Sequence, residues 1–190
     1  MPSITDFLSL VRQKGLARTE KFSVQISRSG GNILSSERDI SLLCESVAIP
    51  KYDIGTKVAR INNLNIQRPS TVEFGGGAAG EGAILVFFMD SNWATKRYFD
   101  DWMNSLVDRN RLVGEYIKSI GTIDINAIHE GPLTESDTTT YEEHTRYSVK
   151  LVEAFPIHMR VTEMAHSAIG IHRLTVTFAY KYWEENNTSD

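Results

Sequence analysis

The sequence holds a single cysteine, Cys44, among 190 residues. An intrachain disulfide is therefore impossible, and so is a metal site built on several thiolates. Cys44 falls in the apolar stretch Ser41–Ile49, where a small buried thiol is the expected role. Long apolar runs are missing too. The longest, Ala83–Met89, is seven residues, too short for a membrane-spanning helix and well suited to a buried strand. No membrane association is expected. Residues Ile4–Lys14 mix apolar and polar groups and carry a charge at Asp6, so a secretion signal is not expected at this end. A basic excess is absent as well: 20 Lys and Arg stand against 24 Asp and Glu, for a net charge of −4. A protein that grips nucleic acid by its phosphates needs a basic patch. This composition argues against tight binding and still permits nucleic acid to pass nearby.

Catalytic signatures are equally scarce. The glycine stretch Gly75–Gly82 lacks the Lys-Ser/Thr pair of a phosphate loop, and the apolar run after it reads as a strand, not a helix. A flexible connector is the reading it supports. The histidines His129, His144, His158, His166 and His172 form no H-E-x-x-H pattern. Glu163 and His166 make one Glu-x-x-His pair, but a di-iron site needs two such pairs on helices. No G-x-S-x-G elbow occurs. The adjacent acid pairs, such as Asp100–Asp101 and Glu142–Glu143, point in different directions on a helix or strand and read as solvated surface. No enzyme, cofactor or metal is expected.

What is present is 41% hydrophobic and 23% charged residues, enough for one domain with one core across residues 1–190. Ser3 and Asp6 form a capping pattern ahead of Ile4, Phe7, Leu8 and Val11, and Gly15 is a stop, so residues 1–15 are expected as a short helix. Alternation at Phe22–Ser27 predicts a half-buried strand, and Ser29–Asn32 a turn. A second strand is expected at Ser41–Val47. Pro50–Asn63 reads as a projecting loop or hairpin arm, and Leu64–Phe74 as one strand or two broken at Pro69.

The clearest helix is expected from Asn92 to Asp108, with Tyr98, Phe99, Trp102, Met103 and Leu106 on one stripe. Trp93 falls on its polar side, where it either packs on a loop of its own domain or touches a partner. Strands are expected at Ile123–Ile128, at Tyr147–Ala154 ending before Pro156, and at Leu174–Trp183. Glu130–His144 reads as a loop or long hairpin tip, and Glu184–Asp190 as a frayed acidic tail. Two helices among seven to nine strands, with the strands in runs, predict a mainly β, antiparallel fold.

The order of segments then carries a resemblance. Lys21-Phe22-Ser23-Val24-Gln25-Ile26 opens a strand, Cys44–Pro50 ends another, Phe99-Asp100-Asp101-Trp102 sits on a helix, and Leu174–Glu184 closes on Tyr182-Trp183. Over Leu16–Glu184 the chain resembles the tail tube protein of contractile-tailed, myovirus-type bacteriophages. Ala154-Phe155-Pro156 matches an aromatic-proline turn of that family, whereas Met164–Gly170 is more apolar than the Asp/Asn-rich hairpin that follows the turn there.

The resemblance implies a β-sandwich or barrel-like subunit with a flanking helix. Six copies would close a ring, and rings would stack into the inner tail tube of a virion, assembled in the host cytoplasm. The implied partners are further copies, the tail sheath, the baseplate tube initiator, the tail terminator and the tape measure protein, with DNA in the lumen without tight binding. Subunit contacts are expected from three loops: Lys51, Tyr52, Lys57 and Arg60 in the first, Gly76 and Gly80 in the second, Glu142 and Glu143 in the third, with Trp93 beside them. The same fold would serve a type VI or pyocin-like tube, a baseplate initiator ring or a terminator ring. A ligand-binding or enzymatic β-barrel is the distant alternative.

Overall fold

Alternation in the sequence becomes alternation in burial. In β1 (Phe22–Arg28), Val24 and Ile26 are buried while Ser23, Gln25 and Ser27 are exposed. The computed structural model describes residues 3–14, 17–28, 36–50, 52–61, 64–74, 82–107, 119–130, 143–165 and 169–186. Before β1 lies α1 (Ile4–Lys14). The expected cap forms reciprocally: the Ser3 amide donates to Asp6 Oδ2 at 2.9 Å, and the Asp6 amide to Ser3 Oγ at 3.3 Å. These bonds hold the Asp6 carboxyl below its ordinary range.

The next elements are α2 (Ser36–Leu42), β2 (Cys44–Val47), β3 (Tyr52–Ile61), β4 (Leu64–Phe74) and β5 (Ala83–Phe88). They are followed by α3 (Ala94–Leu106), β6 (Gly121–Glu130), β7 (Glu143–Val161), β8 (Arg173–Ala179) and β9 (Tyr182–Asn186). A seven-stranded sheet runs β1-β6-β7-β8-β5-β2, with β9 also on β7, and β3 and β4 form a separate pair. Every pairing is antiparallel, and among the described residues the sheet does not close into a barrel.

The strand β7 is the spine. Its first half pairs with β6 and β9, and its last residues pair with β8. The change of partner falls at Glu153, a non-glycine residue at φ 53, followed by Ala154, Phe155 and Pro156. Lys181 braces this point, its amide donating to the Val152 carbonyl at 3.0 Å and its Nζ to Glu153 Oε1 at 2.7 Å. Alternation in the sequence predicts a strand that ends before Pro156. Instead the strand passes through it, because a register shift between Pro156 and His158 accommodates a residue without an N–H.

Two further differences have local causes. Ser41 and Leu42 belong to α2, not to a strand. The helix is seven residues with one buried side chain, Ile40, too short to display a period. Its side chains cover part of the edge of β1, Ser41 Oγ accepting from the Ile26 amide at 3.3 Å and Glu37 Oε1 from the Arg28 amide at 3.4 Å. The predicted strand Leu174–Trp183 is split into β8 and β9, which pair with different stretches of β7. Glu184, Glu185 and Asn186 lie in β9 rather than in a frayed tail, and residues 187–190 lie outside the described residues.

The core joins both halves of the sheet to α3. Ile123, Ile125, Val149 and Leu151 come from β6 and β7, and Leu85, Phe87, Leu174, Val176 and Phe178 from β5 and β8. Phe99 and Trp102 are fully buried against them, in contact with Phe178 at 5.9 and 5.8 Å between ring centroids. Tyr98 and Leu106 are half-buried beside this core, as the predicted stripe requires.

Candidate assembly surfaces

Antiparallel register fixes which loops share an end of the β7-β8-β5-β2 portion of the sheet. Val161 pairs with Leu174, Phe88 with Arg173 and Cys44 with Phe87. Residues 162–172, the β5–α3 connection and Leu42 therefore lie at one end. Phe155 pairs with Ala179, Ala83 with Phe178 and Val47 with Leu85. The chain entering β3 and the chain returning from β4 thus leave from the opposite end.

At that opposite end stands the arm. A projecting loop or hairpin arm is expected over Pro50–Asn63, but the register from Tyr52↔Phe74 to Ile61↔Leu64 makes a single long hairpin to Phe74. The bulge between Gly55 and Thr56 absorbs Ser70 beside Pro69, and Ser70 Oγ donates to the Gly55 carbonyl at 3.3 Å. Ile54, Val58, Leu64 and Ile66 are exposed. Lys57, Arg60 and Arg68 make its outer part basic, with no acid between Ile54 and Val72, while Asp53 and Glu73 are register partners at its base. Lys57 and Arg68 stand directly opposite each other, a like-charge pair that opposes the hairpin when it is bare.

The first end is apolar and rigidly framed. Thr162 and Arg173 exchange backbone and side-chain hydrogen bonds of 3.0 to 3.2 Å at the base of the 162–172 turn. The Met89 amide donates to the His172 carbonyl at 3.0 Å. Arg173 stacks over Phe88 and pairs with Glu45 at 2.6 Å, which raises its already high pKa. Beyond this frame Met164, Ile169 and Ile171 are exposed.

Trp93 sits at the same end. It is not on the helix but caps it at φ 59, and its ring meets His172 at 5.9 Å between centroids. Asp90 sets this turn, accepting from the Thr95 and Asn92 amides at 3.2 Å. Burial pushes its carboxyl up, but these amide bonds prevail and hold it below the ordinary range.

Of the other predicted contact residues, Lys57 and Arg60 are exposed on the arm, while Tyr52 and Glu143 are placed only as the first residues of β3 and β7. Lys51, Gly76, Gly80 and Glu142 lie outside the described residues. Glu130 pairs with Glu143 at the ends of antiparallel β6 and β7, and residues 131–142 of the predicted Glu130–His144 loop or hairpin tip lie outside the described residues. Gly82, read as part of a flexible connector, is a close-packing position: a Cβ there would fall 2.2 Å from the Phe178 carbonyl oxygen. The surface formed by Met164, Ile169 and Ile171 has only its apolar composition as a signal in the sequence.

Cys44 is half-buried, its Sγ donates to the Ser46 carbonyl at 3.5 Å, and burial pushes its thiol up to about 12. Among the described residues no group of three or more His, Cys, Asp or Glu is placed to hold a metal. No described helix is long and apolar enough to cross a membrane.

The family model for phage tail tube proteins matches residues 17–186. No curated protein sequence matches. Solved structures share the fold at low identity. A chain of the anti-feeding prophage tube-terminating cap has a TM-score of 0.60 at 12% identity, covering 91% of this chain and 92% of its own. One from the anti-feeding prophage baseplate has 0.57 at 11%, covering 92% and 98%. One from the sheath–tube complex of the extracellular contractile injection system PVC, in its extended state, has 0.55 at 12%, covering 95% and 97%.

Proposed function

The chain belongs to the phage tail tube protein family, and on that premise we propose that six copies close into a ring and that rings stack into the inner tail tube through which the phage genome passes. The observation that carries this reading is the placement of the arm and the 162–172 turn at opposite ends of the sheet. Surfaces at opposite ends of one molecule make head-to-tail contacts, and such contacts propagate into a filament when they do not close. The like-charge pair Lys57–Arg68 supports it: an acidic surface of a neighbour would relieve a repulsion that the free hairpin bears. The strand edges at β2 and β9 offer pairing positions for closing a ring.

In this reading the protein is structural, carries no reaction and needs no cofactor. A net charge of −4 suits a lumen to which DNA does not adhere. The sheath–tube complex, baseplate and cap among the similar structures make a sheath, a tube initiator and a terminator the natural partners. Negative-stain electron microscopy of the purified chain, with and without an initiator, tests the proposal. Stacked rings or tubes are expected. Single rings that never elongate would mark an initiator or a terminator, and a persistent monomer would end the reading.

A further inference from the structure

The β1-β6-β7-β9 portion of the sheet has one buried side and one outward side. Val24, Ile125 and Val149, with Ile26, Ile123 and Leu151, occupy the buried side. Side chains alternate along a strand and register partners share a face, so each row of partners lies on one side. One outward row is Gln25, Asp124, Lys150 and Glu184, one residue from each strand. The next holds Ser23, Asn126 and Ser148, tied together where the Asn126 side-chain amide donates to Ser23 Oγ at 3.4 Å and Ser148 Oγ to Asn126 Oδ1 at 2.6 Å. Lys150 is the single cation among the described side chains of these two rows, and both of its register partners, Asp124 and Glu184, are acids. Val152 and Tyr182, both half-buried, follow on the side of the Glu153 bend.

The outward side of β7-β8-β5-β2 is of another kind. Arg160, Thr175 and Val86 form one of its rows, and Arg173 and Phe88 another. Ile84, Arg160 and Arg173 are exposed on it. Each arginine that reaches a phosphate adds affinity for nucleic acid, and exposed apolar groups are sites of adhesion. A channel through which a polyanion slides is served by the first face and not by the second. The first offers short neutral groups bonded to one another, and two carboxylates for its one ammonium.

We propose that the outward face of β1-β6-β7-β9 forms the channel wall of the assembled tube, and that Asp124 and Glu184 keep Lys150 from holding the DNA that passes. Opposite charges directly across neighbouring strands attract, so the ammonium has carboxylates beside it before a phosphate arrives. Without them Lys150 would offer one phosphate contact per copy, and repetition along the tube would multiply a weak contact into a strong one. The proposal rests on the tube-subunit reading, which supplies the channel.

Two measurements on assembled tubes test it. Gln25→Cys, with Ser23→Cys as a second variant, is made in a Cys44→Ala background. In the free subunit the new thiol should react with a small maleimide and with a maleimide carried on a polymer too bulky to enter the channel. In tubes it should keep the first reaction and lose the second. Reaction with the bulky reagent in tubes would put the face outside, and reaction with neither would put it between copies. Each of these would overturn the assignment and leave the tube reading intact, whereas a parent chain that forms no tubes even with an initiator would overturn both. For the second measurement, tubes of the Asp124→Asn, Glu184→Gln variant are sedimented with short duplex DNA at low salt. Several-fold more DNA than with parent tubes is expected, returning to the parent level when Lys150→Gln is added. No gain would overturn the role given to Asp124 and Glu184.

Discussion

The indole nitrogen of Trp102 donates a 2.7 Å hydrogen bond to the Ser119 carbonyl, pinning α3 to the start of β6. Gly121 lies two residues on, where an added Cβ would sit 2.9 Å from the Trp102 ring and 2.6 Å from the Ser27 carbonyl oxygen. Helix, β1 and β6 meet here without room for a methyl group. This junction belongs to the scaffold that holds the proposed contact surfaces in place.

Substitution at the junction is expected to act on folding. Trp102→Ala should cost about 3–5 kcal/mol, and Gly121→Ala about 1–3 kcal/mol through overpacking. Urea denaturation followed by fluorescence or circular dichroism measures both. A Gly121→Ala variant as stable as the parent would show that the close approach is not a constraint.

Stability is expected to fall in alkali. Burial keeps the Cys44 thiol neutral in the folded state, up to about 12, whereas its ordinary value is 9.0. Above pH 9 the unfolded chain ionises first, so stability present at neutral pH is lost as pH rises from 9 towards 12. The Tyr98 phenol, raised by burial and then by Glu37, adds to the loss above pH 10. Cys44→Ala should flatten the decline between pH 9 and pH 10 by about 1 kcal/mol. Denaturation midpoints across that window check it, and an unchanged slope would contradict the assignment.

The arm separates folding from assembly. Lys57→Glu replaces a like-charge pair with an opposite one against Arg68 and should stabilise the hairpin by about 0.2–1 kcal/mol. The same change should weaken assembly, since it reverses a charge offered to an acidic neighbour. Thermal melting and sedimentation velocity report the two effects, and a variant that assembles more strongly would refute the charge argument.

The glycine-rich connection makes a similar contrast. Deleting Gly76–Gly80 is expected to impair assembly and leave thermal stability nearly unchanged, while Gly82→Ala should lower stability, because its Cβ meets the Phe178 backbone at 2.2 Å. Equal stability losses in both variants would place the whole stretch in the core.

Elements with a complete local signal were legible in the sequence. The Ser3–Asp6 cap and the Phe99–Trp102 stripe announce α1 and α3, and alternation announces β1. What was hidden depends on distant partners. Pro156 looks like a strand end until the register shift against β8 accommodates it. Leu174–Trp183 alternates through Tyr180, and only β7 decides that it serves as two strands. Lys57 and Arg60 were expected at a contact surface, but the arm's length to Phe74 appears only when β3 pairs with β4. Trp93 could not be placed because its left-handed backbone takes it off the helix and onto His172.

The central claim is that this chain works by assembling with itself into a tube. Electron microscopy of the purified protein, imaged alone and with a baseplate initiator, measures that directly. The account predicts six-fold rings and hollow stacks of them, lost on reversal of charge at Lys57 with the subunit still folded. A monodisperse monomer under every condition, above all one that binds a small molecule in a deep pocket, would contradict it.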